Sequence, residues 1–193
     1  TIQTITDMQT YMAVVERITE SQELVESINE TNITRKDLLD IGYAEERLYS
    51  AKTWAKFFNR NGEKIQLEKE HLKESCISRV SEAEERVEYV NRILENNLEN
   101  IRKDLNRAKK YLLNRQYVMC FYDASKAKAE ANVILSLLGV REEYLKKIVN
   151  LKIEIAEKEI INSLQKNIFP IIGYSYYEYA KSLAKFNEAS ALL

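Results

Sequence analysis

The chain has 193 residues, 45% of them hydrophobic, and 29 Lys+Arg against 30 Asp+Glu, a formal net charge of −1. That apolar content supplies a core and excludes general disorder. The balanced charge argues against a nucleic-acid module, which needs a basic face. With four Gly and one Pro, the chain lacks the turns that a sheet protein of this length requires, so the predicted fold class is all-α.

A first helix is expected over 5–30, capped by Thr4 or Thr6, with Ile5, Met8, Met12, Val15, Ile18, Val25 and Ile28 at helical spacing. Thr34 followed by Asp37 has the form of a capping box and opens a second helix over about 35–60. Its apolar face is Ile41, Ala44, Leu48, Ala51, Ala55 and Phe58, widened by Trp54 and Phe57. Gly42 weakens that helix by about 1 kcal/mol relative to Ala without breaking it. Asn59-Arg60-Asn61-Gly62 is the clearest turn signal.

Beyond the turn runs a stripe of Leu72, Cys76, Val80, Ala83, Val87, Val90, Leu94, Leu98, Ile101, Leu105, Ala108 and Leu112. Its steps average about 3.6 residues, the pitch of a straight helix. The stripe keeps its phase and predicts one long central helix over about 63–115; the competing reading is a break at Asn96-Asn97, where helix propensity is poor. Burying the stripe against the other helices, or pairing it with another copy in a coiled coil, are the two uses such a face has. Further helices are expected over 116–138 (Val118, Phe121, Ala124, Ala127, Ala131, Ile134, Leu138), ended by Gly139, and over 141–167 on a broad face that includes Tyr144, Leu145, Ile148, Leu151, Ile155, Ile160, Ile161 and Leu164. Pro170 and Gly173 mark a break before a helix over about 172–186, with another starting near Asn187.

These elements predict an elongated antiparallel bundle, divided into 1–115 and 116–193, with a tetratricopeptide-like hairpin toward the C-terminus where small residues allow close helix packing. The start at Thr1 and the uncapped apolar run Ala189-Ser190-Ala191-Leu192-Leu193 read as a piece of a longer polypeptide. No 18-residue apolar run appears, so no bilayer span is expected in this fragment.

Chemistry is sparse. Cys76 and Cys120 have no metal spacing, and each lies in a helical stripe as a small buried hydrophobe; a structural disulfide is the alternative. His71 is the only histidine; Glu68-x-x-His71 has no second such motif to complete a di-metal site and reads as a solvated side chain on a charged helix. Gly173-Tyr-Ser175 lacks the second Gly and the strand of a nucleophile elbow. There is no phosphate-binding glycine motif, so no catalytic, cofactor-binding or metal-binding residue is assigned and no cofactor is expected. The candidate interaction surface is Tyr174, Tyr176, Tyr177 and Tyr179, four large rigid rings with polar tips in six positions, of which Tyr176 and Tyr179 share a face with Ala180 and Leu183.

The segment Pro170-Ile-Ile-Gly173-Tyr-Ser-Tyr-Tyr-Glu-Tyr179-Ala180-Lys-Ser-Leu183, with Ala189–Leu193, resembles the helical C-terminal region of archaeal Lon-like serine proteases. In that family a Ser-Lys dyad in a separate α/β domain does the catalysis, and no residue here matches it. The resemblance implies a non-catalytic accessory domain for substrate handling, positioning or oligomerisation. Its partner would be a protease domain of the same polypeptide or another protein, a homo-oligomer being a further expectation. It also implies a parent associated with a membrane. The rival expectation is a free-standing tetratricopeptide-like or coiled-coil adaptor.

Overall fold

A computed structural model describes residues 2–28, 31–60, 62, 64–94, 98–186 and 190–192. Helix α1 (Ile5–Glu26) opens on a capping box in which the Thr4 hydroxyl accepts the Asp7 N–H at 3.0 Å and the Asp7 carboxylate accepts the Thr4 N–H at 3.1 Å. Helix α2 (Arg35–Trp54) opens the same way on Thr34 and Asp37, as the sequence predicts, and tightens into a 3-10 turn at Ala55–Phe57. Helices α3 (Lys69–Ile93), α4 (Glu99–Leu113), α5 (Tyr117–Leu137), α6 (Glu142–Gln165) and α7 (Ile171–Leu183) follow, with a last 3-10 turn at Ser190–Leu192. Among the described residues the only β pairing is a single bridge between Thr4 and Lys64. The protein is all-α.

Two units divide the chain: Thr1–Ile65 with Asn167–Ile172, and Gln66–Lys166 with Gly173–Leu193. Helices α4 and α5, on either side of residue 115, belong to the same unit.

In the first unit α1 and α2 run antiparallel. Arg17 Nε donates to Ser50 Oγ at 2.9 Å, and Arg47 pairs with Glu20. Of the expected α1 stripe, Met12 is buried and Ile5, Met8, Val15 and Ile28 are half-buried. The residues out of solvent are Thr6, Asp7, Thr10, Met12, Ala13, Glu16 and Ser21, while Ile18 and Val25 are exposed. On α2 only Ala44 and Ala51 are buried; Ile41 and Leu48 stand in solvent. Small side chains on both helices set the contact, because they let the two backbones approach closely. Trp54, Phe57 and Phe169 then form an aromatic cluster: Phe57 stacks on Phe169 with centroids 5.8 Å apart, and Arg17 and Arg60 lie over the Trp54 and Phe57 rings.

Asp7 ties this unit together. Besides its cap contacts, its carboxylate accepts the Gln3 N–H at 3.1 Å and the Asn59 N–H at 2.8 Å, where Asn59 takes a left-handed φ of 60° in the turn. Burial alone would push the Asp7 carboxyl up, but the hydrogen bonds from Asn59, Gln3 and Thr4 outweigh it and hold the group below the ordinary carboxylate range. A depressed native pKa gives stability that is complete above the unfolded value, near pH 4, and is lost as pH falls through the native value. Asp7→Asn is therefore expected to destabilise the first unit by about 1–2 kcal/mol at pH 7. The wild-type and variant stability curves, measured by urea unfolding, should run parallel from pH 7 to 5 and converge below pH 4.

The long central helix of the sequence reading is two helices. Leu94 ends α3 in extended backbone (φ −120°, ψ 113°) and Leu98 starts α4; residues 95–97, including the anticipated break at Asn96-Asn97, lie outside the described residues. Residues 64–68, which the expected helix included, are not helical either. Helices α3 and α4 fold back as an antiparallel hairpin, held by Lys109–Glu84 at 2.6 Å and by Arg102 donating to Asn91. Helix α5 lies alongside both, parallel to α3 (Lys128–Glu82, 2.6 Å) and antiparallel to α4 (Arg107–Asp123, 2.6 Å). The stripe is thereby consumed inside the chain. Cys76, Val80, Ala83, Val87 and Val90 of α3, Leu98, and Ile101, Leu105 and Ala108 of α4 form one core with Tyr117, Cys120, Ala124, Ala127 and Ala131 of α5.

The α4–α5 corner needs no glycine. Arg115 adopts φ 58°, its N–H bonds the Leu112 carbonyl at 3.1 Å, and the Gln116 N–H bonds the Tyr111 carbonyl at 2.9 Å, the pairing of a Schellman motif. Gly139, at φ 76°, follows α5 as its expected terminator, and Asn167, at φ 56°, follows α6.

Candidate functional site: an aromatic groove

The four tyrosines of the sequence reading sit on α7, which starts directly after Pro170 and carries Gly173 inside its first turn. Three of them line a cavity of about 340 Å³ in the second unit. Its walls are Lys152, Ile153 and Ala156 of α6, Gly173, Tyr176, Tyr177, Tyr179, Ala180 and Leu183 of α7, and Ala191 and Leu192. The expectation that Tyr176 and Tyr179 share a face with Ala180 and Leu183 matches this lining. Tyr177, which that shared face did not include, joins them.

The rings are held to different degrees. Tyr177 is buried; Tyr174 packs against it at 6.5 Å between centroids, and the Lys181 ammonium lies 4.7 Å from the Tyr177 centroid. The Tyr176 hydroxyl is 3.2 Å from that of Tyr122 on α5, which anchors one rim. Tyr179 is 63% exposed and borders the opening. Lys181 is held protonated above its ordinary range, first by its hydrogen bond to the Tyr177 side chain and then by the Glu178 carboxylate 3.8 Å away. The lining is apolar surface tipped with hydroxyls and a lysine. Its apolar walls match apolar side chains, and its hydroxyls and lysine match polar backbone groups, the mixture found in ligand sites of this size.

His71 is exposed and stands 3.5 Å from Glu68 Oε2. Among the described residues no group of three or more His, Cys, Asp or Glu side chains could hold a metal ion, and no helix is long and apolar enough to cross a membrane. Cys76 and Cys120 are buried as expected, but they are joined as a disulfide with a Cα–Cα distance of 5.7 Å, the alternative left open by the sequence.

Sequence reasoning missed one cluster. Arg107 forks onto Asp123, with Nε–Oδ2 at 2.6 Å and Nη2–Oδ1 at 3.2 Å, and reaches Asp104 Oδ1 at 3.1 Å; Lys126 holds Asp104 Oδ2 at 3.2 Å. Asp123 is fully buried and Asp104 nearly so. Each carboxylate oxygen already faces a cation, so the cluster ties α4 to α5. The available signal was an acid three residues after Cys120 and four before Ala127, on the apolar face of α5.

The fold is all-α, and its second unit carries an aromatic-lined groove. Comparisons with protein-family models, with curated proteins and with solved structures find no match to the chain.

Proposed function

We propose that this chain is a non-catalytic accessory domain that handles polypeptide through the groove between α6 and α7, beside the proteolytic domain of a Lon-like serine protease. The groove carries the reading: its apolar walls and three tyrosines suit an extended segment with exposed apolar side chains. The protease attribution rests on the resemblance of residues 170–193. Titrating a permanently unfolded, apolar-rich polypeptide against the chain tests the binding role. Tyr179→Ala, at an exposed position that leaves the core intact, is expected to weaken binding about tenfold, the loss of one good aromatic contact. Binding that is absent, or indifferent to Tyr179, would sink it. A parent gene with no adjacent proteolytic domain would leave the groove as that of a free-standing helical adaptor.

A further inference from the structure

Helix α6 carries two apolar faces, where the sequence reading saw one broad stripe. Val149, Ile153, Ala156 and Ile160 turn inward, as buried or half-buried side chains. On the opposite side, Tyr144, Leu151 and Ile155 are 51%, 55% and 51% exposed, and Ile148 lies between them half-buried. The spacing of these four is 4, 3 and 4, which places isoleucines 148 and 155 at one core position of a heptad and Tyr144 and Leu151 at the other. Lys147 and Glu154 flank this seam on one side, Lys152 and Glu159 on the other. All four are exposed, and among the described residues none has an ion-pair partner within the chain.

We propose that this outer face of α6 pairs with the same face of a second copy of the chain, the two helices antiparallel. Charge decides both the occupant and the direction. In a parallel pair the flanking positions would set Lys147 against Lys152 and Glu154 against Glu159 of the other copy, like against like. In an antiparallel pair with Ile148 facing Leu151 and Tyr144 facing Ile155, Lys147 meets Glu154 of the other copy, two-fold symmetry makes the match twice, and neither Lys152 nor Glu159 meets a like charge. The seam is about two heptads long and ends at Lys158 and Asn162, where polar side chains take over its core positions. An interface that short belongs to weak dimers, with a dissociation constant on the order of 100 µM. It uses none of the tyrosines of the groove, so it goes beyond the proposed function.

Sedimentation equilibrium of the whole chain tests it, with circular dichroism to show that each variant is folded. The wild type should dimerise, and Leu151→Glu, at an exposed position, should abolish the dimer. Lys147→Glu alone should weaken it about tenfold or more, and the double variant Lys147→Glu with Glu154→Lys should restore it. A wild type that stays monomeric at about 1 mM, a dimer indifferent to Leu151→Glu, or a Lys147→Glu variant that dimerises more tightly, as the parallel arrangement requires, would each overturn the proposal. Peptide binding by the groove should survive Leu151→Glu, which separates this test from that of the proposed function.

Discussion

Asp123→Ala is expected to lower the stability of the α3–α4–α5 bundle by about 3–5 kcal/mol, the cost of breaking a buried ion pair from one side. The carboxylate is fully out of solvent and takes two hydrogen bonds from the Arg107 fork. Its removal leaves a nearly buried guanidinium with Asp104 as its acidic partner, and Asp104 is already shared with Lys126. Two controls give the number a mechanism. Asp123→Ala combined with Arg107→Met should recover much of the loss, because it removes the stranded charge together with its partner. Glu88→Ala, which breaks an exposed pair with Arg92, should barely move the transition. Urea unfolding followed by circular dichroism measures all three; additive losses in the double variant would show that the pair does not act as a unit.

Loss of the Cys76–Cys120 disulfide should cost about as much. The bond closes a loop of 44 residues between α3 and α5, and chain entropy puts the worth of such a loop at about 4 kcal/mol. Both sulfurs are buried in the bundle core, so reductant should act slowly on the native protein and fully once it is unfolded. Cys76→Ala with Cys120→Ala is expected to lower the urea midpoint and to steepen the transition, since the unlinked denatured chain exposes more surface. The unfolded, unreduced wild type should show no free thiol. Titration of two thiols there, or an unchanged midpoint in the variant, would contradict the bond.

The sequence located the helices well and their buried faces less well. Both capping boxes put paired side-chain bonds at fixed spacing, and such local chemistry survives any tertiary arrangement. The sequence favours one continuous helix over the competing break at Asn96-Asn97 for a physical reason. Two arms of a hairpin that face one core repeat apolar residues with the same period as one long helix, and Leu94 and Leu98 happen to keep the phase across the corner. On α5 the buried face turned out to be centred on Cys120, Ala124, Ala127 and Ala131, which moved Val118 and Phe121 to its flank and brought Asp123 inside. The alanines of the expected stripe mark that close contact, and its bulkier members Val118 and Phe121 do not. The α1–α2 pair repeats the lesson, with Ala13, Ser21, Ala44 and Ala51 buried while Ile41 and Leu48 are not. Of the tyrosine surface, the ring positions were legible. The groove was not, because Ile153, Ala156 and Leu192 come to it from other elements.

The first unit is discontinuous along the chain, and that has a bearing on how it is made. About a hundred residues separate its two segments. The later one supplies Phe169, which stacks on Phe57, the fully buried Ile171, and the Ile172 N–H, which donates to Gln9 Oε1 at 3.3 Å. A ribosome adding about 5–20 residues per second would therefore hold α1 and α2 without their closing segment for roughly 5–20 s. During that interval the second unit's three-helix bundle can fold from contiguous sequence. The amino-terminal helices, although synthesised first, would be the last to reach their finished state, and a nascent chain halted before residue 167 would carry them incomplete.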